Sequence, residues 1–197
     1  MAQSKENSVG QRGATGTSII PEIEIGLAYD KSQSTLVLEI GKGLNYGMGS
    51  LEKAPGWTAR VFVRIGDGVF LIVDTFARIA LLDSAGQEIV CNRTITRRAQ
   101  HHPIFAERYP FNIQESLLDQ ITLVITIVNK KPTGKSDRNI GWISFGTGFL
   151  SLRCCRSRSI HVHSGHGASG NAQVAHWDSI LNVQGDTITR WHALLES

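Results

Sequence analysis

The stretch "ITLVITIVNKKPTGKSDRNIGWISFG", residues 121–146, decides the fold. An apolar, β-branched run enters from the left and "NIGWISFG" leaves on the right, so the piece reads as strand, loop, strand. A loop of this form commonly presents carboxylates to a metal ion. Here it offers Asn129, Lys130 and Lys131, then Lys135, with Asp137 as its only acid.

The same punctuation continues in both directions. "EIEIGLAY" (22–29) and "STLVLEIG" (34–41) alternate apolar with polar residues, as half-buried strands do, and "DKSQ" turns between them. "DTFARIALLDSAGQEIVCNRTITRR" (74–98) reads as a hairpin turning at Ser84–Gln87. "PIFAERYPFNI" and a closing "TITRWHALL" complete about eight strands, which argues for an all-β, antiparallel β-sandwich. One short helix is expected before the last strand, in "NAQVAHWDSILN". Val174, Trp177 and Leu181 fall at helical spacing there, with Ile180 beside them and Asn171 as the cap.

Composition bounds the function. The chain has 197 residues, 41% of them hydrophobic and 19% charged, enough for one sizeable core. A net charge of +3 falls well short of the excess that marks a nucleic-acid binder, yet it suits weak attraction to anionic lipid. The polar, Gly/Ser-rich residues 1–20 read as a disordered lead-in without the apolar centre of a secretory signal. Three cysteines, Cys91, Cys154 and Cys155, make an odd count with an adjacent pair, which argues against a disulfide framework and for a reducing, cytoplasmic setting.

Two segments sit awkwardly in a single sandwich spanning 21–197. The first, 47–73, holds the strand-like "TARVFVRI" and the apolar "VFLIV"; the second, 149–167, is rich in Arg, Ser and His. Both read as atypical insertions: natural loop insertions, or retained intron sequence and gene-model error. Cys154, Cys155, His161, His163 and His166 are zinc-ligand types, but adjacent cysteines with no CxxC spacing make a poor site, so no metal is expected. A lone Cys-Cys is equally weak as a palmitoylation cue. No GxSxG, P-loop or HExxH occurs, so no enzyme and no cofactor are expected.

The order of landmarks resembles the second C2 domain of synaptotagmins. "DTFARIAL", "SAGQEI", "HPIFAERYPFNI", "GKSDRNIGWISFG" and the pair "HWDSIL" with "RWHALLES" follow one another as in that family. The wording of "GWISFG" and "WHALLES" is most similar to the synaptotagmin-fourteen and -sixteen branch. The resemblance implies an eight-stranded C2 β-sandwich with calcium loops at one end. It also implies work in vesicle trafficking or exocytosis, peripherally on a vesicle or plasma membrane, with anionic phospholipid and SNARE or synaptotagmin-type proteins as partners. Relatives carry tandem C2 domains and often a membrane segment, so the chain reads as a fragment, short isoform or divergent relative.

Calcium-binding members of the family supply five aspartates. Carried over by position, these fall near Met48 and on Asp74, Asn129, Lys131 and Asp137, so two of the five carboxylates survive. Calcium needs about six to eight oxygen ligands. An ammonium about 4 Å from the ion would be repelled by at most about 8 kcal/mol at an effective dielectric of about 20. A calcium-independent C2 domain is therefore expected, with Lys130, Lys131 and Lys135 as candidate headgroup contacts. The strand that carries the family's polybasic run keeps only Arg93, Arg97 and Arg98, candidate lipid- or partner-binding residues against the reading of a plain exposed strand; strand alternation puts Arg93 and Arg97 on one face and Arg98 on the other. Trp191 is expected as core or corner packing. The competing reading is a protein-interaction module that forms homo- or hetero-oligomers through its β edges without meeting lipid.

Overall fold

In the computed structural model, residues 20–47, 62–65, 68–71, 73–131, 136–146, 170–183 and 185–196 are described; Met48, Lys135, Cys154, Cys155, His161, His163 and His166 lie outside them. Among the described residues ten strands run in chain order: β1 (Glu22–Asp30), β2 (Thr35–Leu44), β3 (Phe62–Ile65), β4 (Gly68–Leu71), β5 (Asp74–Leu82), β6 (Glu88–Arg93), β7 (Ile104–Asn112), β8 (Thr122–Lys130), β9 (Arg138–Gly146) and β10 (Ile188–Ala193). Eight of them build two four-stranded antiparallel sheets, β10-β1-β2-β7 and β6-β5-β8-β9, while β3 and β4 pair as a separate hairpin. The expected eight-stranded sandwich is thus present, and part of the 47–73 segment forms that hairpin.

Alternation explains the core. Ile23, Ile25, Leu27 and Tyr29 of β1 meet Leu36, Leu38 and Ile40 of β2 on one inner face; Ala77, Ile79 and Leu81 of β5 meet Leu123, Ile125 and Ile127 of β8 on the other. Phe105, Phe145 and Trp177 fill the space between them. The turns are fastened by short acids. Asp30 Oδ1 accepts from the Ser32 and Gln33 amides at 2.9 and 3.2 Å, which with the Ser32 hydroxyl holds its carboxyl below the usual range. Asp83 Oδ1 accepts from the Ala85 and Gln87 amides, and Gly86 takes φ 75° at the hairpin tip. At Gly146, φ is 107° and a Cβ would lie 2.4 Å from the Ile121 carbonyl oxygen, so glycine ends β9 for two reasons.

The helix α1 (Asn171–Asn182) forms where expected, but its buried face differs from the apolar stripe in the sequence. Gln173, His176, Trp177 and Ile180 are buried, while Val174 is 41% exposed. Gly170 precedes the helix and no side chain caps it, so Asn171 is its first residue rather than its cap. Trp177 and Ile180 are thus buried as the spacing predicts, Leu181 packs partly against the core, and the buried face also takes in His176, which makes two polar contacts inside the fold. His176 Nδ1 meets His192 Nε2 at 2.8 Å, and His176 Nε2 meets the Ile188 carbonyl oxygen at 2.7 Å. The alternation of β10 follows from the same contact: His192 is buried, and Trp191, expected as packing, is 42% exposed.

Candidate functional site

The end of β2, the start of β5, the segment after β6 and the end of β8 meet at one end of the sandwich: the Tyr46 amide donates to the His101 carbonyl, the Gln100 amide to the Val73 carbonyl, and Asp74 pairs with Lys130. Register fixes the two strands that carry the loop residues: Asp74 pairs with Lys130, Thr75 with Asn129, and Asn129 with Arg138. Because Ala77, Ile79, Ile125 and Ile127 face the core, Asp74 and Lys130 share the outer face and Asn129 the inner one. The surviving carboxylate on β5 therefore has an ammonium as its cross-strand neighbour.

Both remaining acids are engaged by backbone. Asp74 Oδ1 accepts from the Ala99 amide at 2.9 Å, tying β5 to the segment after β6. Asp137 Oδ1 accepts from the Lys131 amide at 3.1 Å, closing the base of the β8–β9 loop. Each works as a loop fastener. Among the described residues no group of three or more His, Cys, Asp or Glu is placed to hold a metal ion.

The arginines divide differently from the alternation expected of a continuous strand. β6 stops at Arg93, and the chain after it turns inward: Thr94 is buried, its amide donating to the Ala77 carbonyl and its Oγ1 accepting from the Ala77 amide, both at 2.9 Å. Beyond it, Arg97 exchanges two backbone hydrogen bonds with Thr75. Its guanidinium donates through Nη2 to the Phe105 carbonyl and lies 3.6 Å from Glu107. Arg97 is therefore a strut between the two sheets, and it leaves the exposed cationic set.

Arg93, Arg98 and Lys130 remain, and they come together. An open basin of about 510 Å³ is lined by Arg93, Thr94, Ile95, Thr96, Arg98 and Lys130. The Arg93 guanidinium sits 5.0 Å from the centre of the Phe76 ring, a cation–π placement that holds it over β5. Arg98 and Lys130 are exposed, Lys131 is partly so, and Lys130 reaches the basin from β8 rather than from the loop tip. Alternation along the sequence could not bring Arg93 and Arg98 to one side, because it presumes a strand that has already ended.

No family model matches the chain. Among curated proteins it is similar to synaptotagmin-7 of Mus musculus, 21% identical over 173 residues, covering 88% of this chain and 33% of that protein. It is also similar to synaptotagmin-12 of Rattus norvegicus, 25% identical over 119 residues, covering 60% of this chain and 23% of that one. Among solved structures, the third C2 domain of the KIAA1228 protein superposes with a TM-score of 0.52 at 13% identity, covering 95% of each chain. The RIM C2A domain from Drosophila gives 0.52 at 12% identity, covering 89% of this chain and 98% of that one. The fold is a C2 domain, and its sequence is synaptotagmin-like.

The chain spans about a quarter to a third of the length of these curated relatives. Of the positions that the resemblance assigns to calcium ligands, Asp74 opens β5, Asn129 lies on β8, and Lys131 and Asp137 flank the β8–β9 loop. Sequence reading missed two features of this C2 domain. One is the basin that unites Lys130 with Arg93 and Arg98; the other is the buried His176–His192 pair, which the motifs "HWDSIL" and "RWHALLES" held in plain view.

Proposed function

We propose that this C2 domain is a calcium-independent docking module in vesicle trafficking or exocytosis, a binding module rather than an enzyme. It engages anionic phospholipid weakly and protein partners of the SNARE or synaptotagmin type. One observation carries the calcium part: both surviving carboxylates accept backbone amides, and the positions around them hold an amide and two ammonium groups. What would be an anion-lined cup is a cationic rim, so the anion it selects must be on the partner. Each exposed lysine or arginine near an anionic membrane contributes about 1 kcal/mol, which favours weak, salt-sensitive docking.

Placement as the second C2 domain of a synaptotagmin rests on the His-Trp helix and the Trp-His-x-Leu end, both of which fold into one packed unit. The wording near Trp142 and Trp191 supports the fourteen/sixteen branch; the relatives named above are synaptotagmin-7 and -12, and the docking reading holds for either branch. A sheet edge among the described strands favours a second reading, association through β strands. β6 ends its sheet and carries Ile89, 54% exposed, beside the exposed Cys91.

Co-sedimentation with vesicles of phosphatidylcholine and phosphatidylserine, with and without calcium, tests the proposal. Binding that needs anionic lipid and ignores calcium is expected. A steep rise with calcium overturns the calcium claim. Absence of binding at low salt, with a concentration-dependent dimer in sedimentation, turns the reading to edge association.

A further inference from the structure

The basin holds one side chain that a headgroup site does not need. Ile95 is 66% exposed, the most exposed of the large hydrophobic residues among those described, and it stands between Arg93 and Arg98 in the basin lining. A single exposed isoleucine is ordinary on a protein surface. Two observations set this one apart.

First, the backbone beneath it is fastened on both sides. The Ile95 amide donates to the Glu107 carboxylate at 3.0 Å, and Glu107 is itself held by the Tyr109 hydroxyl at 2.7 Å and by Arg97. Thr94 is locked to Ala77 of one sheet, and Arg97 reaches the Phe105 carbonyl of the other. The side chain is thus displayed from a bridge between the sheets that cannot fold it inward without breaking these bonds. Second, its neighbours in the basin are Arg93, Arg98 and Lys130, none of which makes an ion pair with another described residue.

We infer that Ile95 is an apolar anchor that enters the acyl boundary of an anionic bilayer, while Arg93, Arg98 and Lys130 hold headgroup oxygens around it. The inference rests on the lipid part of the proposed function. An anionic membrane is the partner whose apolar layer lies directly beneath its charge, which is the order in which the basin presents cations and isoleucine. A purely acidic peptide, such as polyglutamate, would satisfy the three cations and leave Ile95 in water. The anchor lies on the segment after β6.

Two independent readouts test it on the full chain. In co-sedimentation with phosphatidylcholine/phosphatidylserine vesicles, Ile95→Ser is expected to weaken binding about tenfold, as removal of one partly buried isoleucine side chain from the acyl boundary should. The slope of affinity against salt should stay as in wild type. Ile104→Ser, at another exposed isoleucine (55%) outside the basin, should bind as wild type. In vesicles with brominated acyl chains, Ile95→Trp should show quenching beyond that of the four native tryptophans. Wild-type binding with unchanged affinity for Ile95→Ser, or no extra quenching in bound Ile95→Trp, overturns the anchor and leaves lipid docking standing. Failure of wild type to bind these vesicles, with or without binding to polyglutamate, overturns the lipid reading and the anchor with it. Thermal melts of the variants matching wild type separate these results from misfolding.

Discussion

Acidification should loosen this domain through two buried imidazoles. His176 and His192 are buried, with rings stacked 5.0 Å apart and the edge of Phe145 against both. The Ile188 carbonyl can only accept, so His176 Nε2 carries a proton; His176 Nδ1 then accepts from the Nε2–H of His192. That leaves His192 Nδ1 as a buried acceptor without a hydrogen-bond partner among the described residues, in keeping with two neutral rings. Burial lowers the pKa of His176 and takes that of His192 down to about 4, with the neighbouring ring and Arg190 acting in the same direction on His192.

The sign follows from linkage. An unfolded histidine titrates near about 6.5, so between about 6.5 and 4 the unfolded chain binds a proton that the folded His192 refuses. Stability from the neutral pair is therefore complete above the unfolded value and falls with decreasing pH until the folded value is passed. For His192 alone, the loss between about pH 7 and pH 5 is about 2 kcal/mol, and His176 adds to it in the same direction. Urea unfolding followed by tryptophan fluorescence at the two pH values measures this. The His176→Gln/His192→Gln double variant serves as reference, because its absolute stability drops but its histidine-linked slope disappears. Equal pH slopes in wild type and double variant would refute the reasoning, as would an imidazole NMR titration of His192 centred at or above about 6.5.

Other predictions concern the loop end and the struts. Asn129→Asp/Lys131→Asp should raise calcium uptake above that of wild type in calorimetry, because it returns two carboxylates beside Asp74 and Asp137. An unchanged isotherm would place the defect elsewhere, with the Met48 position the next to examine. Arg97→Ala should cost about 2 kcal/mol in urea unfolding, since it strips a hydrogen bond from the Phe105 carbonyl and leaves Glu107 short of a partner. Arg98→Gln, at an exposed basin residue, should leave stability within about 0.5 kcal/mol and weaken vesicle binding at low salt. Gly146→Ala should destabilise by about 2–4 kcal/mol, combining a left-handed φ with the clash at the Ile121 carbonyl, and a melt within a degree of wild type would contradict both.

The sandwich was legible in the chain because its information is local. Alternation in "EIEIGLAY" and "STLVLEIG" states which side of each strand is buried, and Asp83 with Gly86 states where a hairpin turns. The scarcity of carboxylates at Asn129 and Lys131 is a property of residue identity and needed no coordinates. The grouping of charges was another matter. Arg93, Arg97 and Arg98 look like one run, yet Arg97 is drawn between the sheets by Glu107 and Phe105, while Lys130 arrives from β8 to take its place. Likewise the apolar spacing of Val174, Trp177 and Leu181 put Trp177 inside but could not tell that Val174 would face out and His176 in; the partner that the buried His176 meets, His192, lies sixteen residues further on and on another element. Periodicity reports how a segment partitions between water and apolar surroundings; it holds no record of a hydrogen bond or ion pair whose other half is supplied by a distant strand. Such pairings exist only once the sheets have closed.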